Sequence, residues 1–386
     1  MGHMDPDAGG SARPAPDAGG SARPAGPNGA RPNFCDLTKG AMAAQLIKMG
    51  ATRYRGTQAF RWVNGARGIG GGLITDFGMM TDVPLGLRDR LRESYSLSWP
   101  EIKGESTLVR EGTTKFLHRL WDGGHVESVL MAGGGDSAIC VSSQVGCGRG
   151  CTFCASAGGG LSRNLTPSEM TGQVYGIMGM AGCKVGNVTV MGVGEPFDNY
   201  GSLISFLSIL GDPDGLNVGS RNVTVSTCGI SPMIREFAGE KGQTNLSVSL
   251  HAPEDGLRQA LMPVAVHYPL EGLMDACEYY AARTNRRVTF EYTLIKGVND
   301  KDTHAYRLAT LLGGREGLQG LCHVNLMSYN EVGGCAYRRS SPERMSVFEA
   351  RLKAARIPVT VRRTKGGGIG AACGQLRAGS GQGESG

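Results

Sequence analysis

The sequence predicts an α/β fold: a partial parallel barrel of six strand–helix units, (β/α)6, preceded by a small helical domain and a β-hairpin extension. Three observations predict it. Apolar, β-rich runs recur from residue 138 onward with helical stretches between them, the pattern of parallel βαβ units. Polar or glycine-rich residues follow nearly every run, as they do where barrel strands present their chemistry. Upstream, a helical pattern rich in aromatics and leucine gives way to two short extended runs.

The elements follow in order. Residues 1–30 read as a disordered, tag-like tail, because the repeat PDAGGSARPA at 6–15 and 16–25 holds nothing that packs. Residues 31–105 read as a helical accessory domain. Asp36-Leu37-Thr38 offers a cap before Met42, Leu46 and Ile47, a second helix carries Phe60, Trp62 and Val63, and a third follows Pro84. Arg53, Arg55, Arg61 and Arg67 interleave with the aromatics, either as a solvated face or as phosphate contacts for RNA. Residues 106–135 read as the hairpin linker, with Thr114–Leu120 and His125–Met131 closed by Asp122-Gly123-Gly124.

The barrel is expected over 136–377, with strands near Ala138–Ser142, Val188–Met191, Val223–Ser226, Leu246–Leu250, Val288–Leu294 and Val324–Met327, and a further run at Val359–Arg363. Residues 378–386 read as a second tail.

Composition narrows the function. No run of eighteen apolar residues exists, 40% hydrophobic content argues against a disordered chain, and 62 glycines without a G-X-Y period exclude collagen. Eleven cysteines in a long chain with no secretory h-region point to metal or redox chemistry in a reducing compartment, so a cytoplasmic location and no membrane are expected. A net charge of +6 permits a polyanionic partner.

Cys147, Cys151 and Cys154 form C-x-x-x-C-x-x-C within QVGCGRGCTFCASA. Thiolates are the soft ligands that iron–sulfur clusters need, and three of them leave one iron of a 4Fe–4S cube open. A structural zinc site would want a fourth ligand nearby. Gly194-Glu195 lies about forty residues beyond, after the second strand.

This spacing is similar to that of the radical S-adenosylmethionine superfamily. Beyond it, CVSSQVGC with the terminal ACGQL resembles the RlmN/Cfr family of RNA adenine methyltransferases. So do SRNL at 162–165, MGVGEPFDNY at 191–200, VTVSTCGI at 223–230, SVSLHAPEDGLR at 247–258, EYTLIKGVND at 291–300 and YRRSS at 337–341. With RYRGTQAFRWV and TDFGMMTDVP in the helical domain, the resemblance spans roughly residues 33–377.

The resemblance implies a 4Fe–4S cluster on Cys147, Cys151 and Cys154, and S-adenosylmethionine held by Gly194, Glu195, Ser226, Ser249, Leu250, His251 and Asn330. It implies a ping-pong route in which Cys373 is methylated, its S-methyl group loses a hydrogen atom and bonds to adenine, and Cys140 resolves the adduct by forming a disulfide. Glu127 matches the family's proton acceptor. The chemical reason is that carbon 2 of adenine has no lone pair with which to attack a methyl donor, whereas a thiolate has one. The implied substrates are adenosine at the peptidyl-transferase centre of 23S rRNA and in tRNA. An external one-electron reductant such as flavodoxin and a monomeric state are also expected. Alternatives are carbon-8 methylation of the same rRNA adenosine, a non-catalytic metal-stabilised RNA-binding protein, and a small-molecule substrate.

Two further expectations concern loops and charge. Gly366–Gly370 replaces an acidic run of the relatives and is expected to make the Cys373 loop mobile. Arg286-Arg287, Arg338-Arg339 and Arg362-Arg363 with Lys365 are candidate phosphate contacts. Cys35, Cys183, Cys228, Cys277, Cys322 and Cys335 match no ligand spacing and are expected to be apolar fillers.

Overall fold

The computed structural model describes residues 31–65, 72–108, 111–133, 137–362 and 366–380. The tail at 1–30, Arg67, Arg363, Lys365 and residues 381–386 lie outside the described residues.

The helical domain is built from α1 (Lys39–Lys48), α2 (Arg53–Asn64) and α3 (Leu85–Ser94). Thr38 caps α1, its hydroxyl accepting from the Ala41 amide. Gly56 lets α2 lie against α1, since a Cβ there would fall 2.4 Å from Ala43 Cα. Phe34, Leu46, Phe60, Val63, Phe77 and Leu91 fill the space between the helices. The domain docks through polar pins: Asn33 Nδ2 to Ser168 Oγ at 2.9 Å, the Ser168 amide to Asp36 at 2.9 Å, and Tyr175 to Asn64 at 3.1 Å.

An antiparallel ribbon follows, made of β1 (Glu101–Leu108), β2 (Thr113–Arg119) and β3 (Gly124–Met131). The expected hairpin is thus its second and third strands. The first carries no signal of its own, because EIKGESTL has only Ile102 and Leu108 as apolar residues, too few for an alternation to be read.

The ribbon continues into β4 (Ser137–Val141), antiparallel to β3. A small hairpin of β5 (Gln144–Gly146) and β6 (Leu161–Asn164) brackets residues 147–160. From β4 the sheet is parallel through β7 (Val185–Val190), β8 (Val223–Thr227), β9 (Asn245–Ser249), β10 (Val288–Leu294), β11 (Cys322–Ser328) and β12 (Val359–Arg362).

Each crossover carries helix: α4 (Pro167–Ala181), α5 (Tyr200–Leu210), α6 (Ser231–Phe237), α7 (Asp255–Leu261) with α8 (Leu270–Thr284), α9 (Asp302–Gly313) and α10 (Pro342–Ala354). This is the expected set of six strand–helix units plus a seventh strand. Among the described residues β12 pairs only with β11, so the barrel is partial. Its core is apolar from both sides of the sheet, with Val188, Val225, Val248, Phe290, Leu326 and Phe348 fully enclosed. Burial of such side chains stabilises by about 1.5–3 kcal/mol each.

One end of the chain departs from expectation. Residues 378–380, read as tail, form β13 (Ala378–Ser380) antiparallel to β3. Three residues without an apolar pattern gave no strand signal.

Candidate active site

A cavity opens at the C-terminal ends of the parallel strands, where helix-bound crossovers leave the loops free to carry polar groups. Cys147, Cys151 and Cys154 line it, together with Gly194, Glu195, Ser226, Ser249, His251, Asn330 and Cys373. Residues drawn from motifs more than two hundred positions apart therefore share one space.

The cysteine loop is held at several points. Gly146, at φ +80°, has no room for a Cβ, which would meet Gly160 O at 2.0 Å. The Cys147 amide donates to Gly160 O at 2.8 Å, the Thr152 amide to Leu261 O at 3.0 Å, and the Ala155 amide to Gly374 O at 2.8 Å. Arg149 pairs with Asp198 through two nitrogens, one at 2.7 Å, fixing the loop to the segment after β7. Phe153 packs edge-on against His251, with ring centroids 4.9 Å apart.

Burial pushes the Cys147 thiol up to about 11, with the charges of Glu195 and Cys154 adding to it. Cys151 is raised as well, by burial and then by Cys154 and Cys147. Thiols crowded together in this way are poor neighbours as free thiolates, and a bound cation reverses that penalty. Among the described residues no three His, Cys, Asp or Glu side chains gather as they would around a single ion. Thiolates that each hold a different iron of a cube need not converge on one point, so the donor set suits a cluster.

The opposite wall suits a polar organic ligand. Gly192 and Gly194 are required by close packing: a Cβ on Gly192 would lie 2.7 Å from Ser142 Oγ, and one on Gly194, at φ +108°, would lie 2.6 Å from Gln144 Cβ. Glu195 is enclosed, its carboxylate accepting from the amides of Phe197 at 3.0 Å and Cys228 at 2.7 Å, and burial raises its pKa. Among the described residues three buried polar atoms of the cavity lining have no partner: Glu291 Oε2, Tyr329 Oη and Asn330 Oδ1. Such groups cost free energy unless a ligand or water meets them.

His251 sits at φ +55°, with Nδ1 accepting from the Thr293 amide at 3.0 Å, and burial lowers its pKa to about 3. It is a neutral, satisfied histidine and a cavity wall at once. Leu250 differs from its neighbours. It is fully buried in the core and does not line the cavity, because alternation along the strand end turns it inward.

Cys373 is solvent-accessible and lines the cavity, and desolvation by the surrounding protein raises its thiol pKa. Cys140 lies on β4 behind it, packed with Val129, Val193, Ala371 and Leu376. Burial, then the nearby Cys373, pushes Cys140 up to about 12. Both thiols are free. Glu127 does not line the cavity: its carboxylate pairs with Lys115 Nζ at 2.7 Å and accepts from the Arg377 amide at 2.8 Å.

Several expectations change. Gly366 and Gly370 are at φ +74° and +62°, and the Ala371 amide closes on Gly366 O at 2.8 Å. Left-handed turns require glycine there, whatever mobility it adds. Cys228 is no filler, since it lines the cavity and its amide holds Glu195. Arg338 and Arg339 bond to carbonyls of their own loop, and Arg362 lines the cavity. Two further residues belong to the site: Glu291 lines the cavity, and Arg258 donates to the carbonyls of Cys228 and Ser249, which line it. For Glu291 the signal is a carboxylate inside the apolar run VTFEYTL; for Arg258, fully buried, the sequence carries none.

Comparison with known proteins agrees with this geometry. The Radical SAM superfamily model matches residues 141–309, and the Ribosomal RNA large subunit methyltransferase N-terminal domain model matches 32–97. A crystal structure of a radical SAM methyltransferase from Sphaerobacter thermophilus superposes with a TM-score of 0.81 at 42% identity, covering 89% of this chain and 99% of that one. The fold and cysteine loop are those of the radical SAM superfamily.

A probable dual-specificity RNA methyltransferase RlmN from Thermoanaerobacter sp. (strain X514) is 45% identical over 345 residues, 89% of this chain and 97% of the relative. One from Geobacillus kaustophilus is 44% identical over 350 residues, 90% and 93% respectively. The chain belongs to the RlmN family of radical SAM RNA methyltransferases.

Proposed function

We propose that this chain is a cytoplasmic, monomeric enzyme that methylates carbon 2 of adenosine at the peptidyl-transferase centre of 23S rRNA and in tRNA, by way of an S-methylcysteine at Cys373. The observation that supports it best is the shared cavity: Cys373 lines it together with Cys147, Cys151 and Cys154, and Cys140 is buried nearby against Ala371 and Leu376 of the Cys373 segment. Cys147, Cys151 and Cys154 would hold the 4Fe–4S cluster, and Gly194, Glu195, Ser226, Ser249, His251 and Asn330 would surround S-adenosylmethionine. When bound, these two supply an activated methyl group and, with an electron from a flavodoxin-like reductant, a means of abstracting hydrogen.

The chain's own residues do the rest. Cys373 presents its sulfur to the cavity, and Asn330 Nδ2 holds the Cys373 carbonyl at 3.1 Å. Glu127, between Lys115 and the Arg377 amide, is the proton acceptor in this reading, and it reaches the cavity when the Cys373 loop moves. Cys140, held neutral by burial, is inert until Cys373 is displaced toward it. The helical domain presents exposed Arg53 and Tyr54 as a phosphate and base contact.

Anaerobic reconstitution with S-adenosylmethionine, a reductant and rRNA or tRNA fragments, followed by nucleoside mass spectrometry, tests this. The expected product is 2-methyladenosine with loss of a carbon-2 deuterium label, abolished by Cys373→Ala. Retention of that label with methylation at carbon 8, or turnover by the variant, overturns the assignment.

A further inference from the structure

Arg258 is a fully buried guanidinium beneath the site that the reaction does not yet use. It lies on α7, whose last residue, Leu261, accepts the Thr152 amide of the cysteine loop. Every hydrogen bond it makes among the described residues goes to a carbonyl: Cys228 O at 2.7 Å, Ser249 O at 3.3 Å and Tyr268 O at 3.2 Å. Nε has no partner. Room for the fork is reserved by Gly229, at φ +102°, where a Cβ would lie 2.9 Å from Nη2.

The carboxylate of Glu195 is nearby but separated from it by the Cys228 peptide, whose amide serves Glu195 and whose carbonyl serves Arg258. Asp255, on the same helix, caps the Leu270 amide instead. A buried cation bonded only to neutral carbonyls is costly. The cost falls if an anion arrives close by. Three thiolates on the adjacent loop bring three negative charges into the same low-dielectric space, and reduction adds another.

We propose that Arg258 is a positioning residue with a second duty: it ties the ends of β8 and β9 together and provides the fixed positive charge that balances the thiolate-bound centre, favouring its reduced state. The proposal rests on the reading of Cys147, Cys151 and Cys154 as cluster ligands. The planar fork suits three carbonyls at once, and the permanent charge suits the balance.

The test is an EPR-monitored redox titration of anaerobically reconstituted wild type, Arg258→Lys, Arg258→Met and Arg258→Gln, with iron content measured in parallel. Wild type without iron or an EPR signal sinks the cluster reading itself. With the signal present, both neutral variants are expected to titrate at more negative potential by at least a tenfold change in the one-electron equilibrium, about 59 mV. Arg258→Lys is expected to stay near wild type in potential while binding S-adenosylmethionine several-fold more weakly.

A neutral variant that holds full iron at wild-type potential overturns the proposal. If the neutral variants fail to fold, a folded, cluster-loaded Arg258→Lys with wild-type potential supports it. Failure of Arg258→Lys as well shows that the fork's shape alone matters, and overturns it.

Discussion

The side-chain amide of Asn330 donates to the carbonyl of Cys373 at 3.1 Å, while its own Oδ1 is buried without a partner at the cavity wall. One residue thus touches the thiol loop with one end and offers the other to whatever fills the cavity. A ligand that met Oδ1 would be joined to the placement of Cys373 through it.

Asn330→Ala removes that joint. A single hydrogen bond contributes about 0.5–1.5 kcal/mol. Methylation of Cys373, followed by intact-protein mass spectrometry, should slow about tenfold, and calorimetry should show weaker S-adenosylmethionine binding with little change in melting temperature. Wild-type values for both would refute the coupling.

Glu127 fastens the segment after Cys373 by accepting from the Arg377 amide, next to the pairing of β13 with β3. In Glu127→Ala the amides of residues 376–380 should exchange hydrogen about tenfold faster, while Glu127→Gln, which keeps an acceptor, should exchange near the wild-type rate. Unchanged protection in the alanine variant would show that the strand pairing holds the segment unaided.

His118 is fully buried in the ribbon, with Nε2 2.6 Å from Ser128 Oγ, and burial lowers its pKa to about 4. The unfolded chain therefore takes up the proton first. Stability is complete above about pH 6.5 and is lost as pH falls toward 4, by an amount on the order of 3 kcal/mol. Melting temperature measured against pH should fall over that interval, and His118→Gln should flatten the slope. An identical slope in the variant would place the acid sensitivity elsewhere.

Gly194 combines a left-handed backbone with a contact that a side chain would violate. Gly194→Ala should displace the Glu195 loop from Gln144, costing about 1–3 kcal/mol. The readout is S-adenosylmethionine affinity together with a melting curve. Affinity and stability both at wild-type level would mean that the approach relaxes easily.

The sequence made the seven parallel strands legible because each is an apolar run bounded by loop residues, and the cysteine spacing is itself the chemistry. The cavity residues followed wherever a motif ended a strand. Arg258 did not follow, because an arginine at a helix position reads as solvent-facing unless its burial is known. β1 stayed hidden because its half-buried face carries only Ile102 and Leu108 as apolar residues, too few to set a period, and β13 because three residues carry no pattern. Leu250 was grouped with the site by its motif, and only the pleat shows that it faces away. Gly366 and Gly370 were legible as glycines, but not the left-handed turns that demand them.

The segment from Gly366 to Arg377 lines the cavity with Cys373, Gly374 and Leu376 and is tied at its start to Glu111 and at its end to Glu127, both carried by the ribbon. Its middle rests on the cysteine loop through Gly374 O and Leu376 O. Cys373, which lines the cavity, is therefore carried on a strap anchored at both ends and in its middle. Anything that displaces this strap therefore moves the Cys373 sulfur with it and loosens its holds on the ribbon and on Ala155 and Ser156 together.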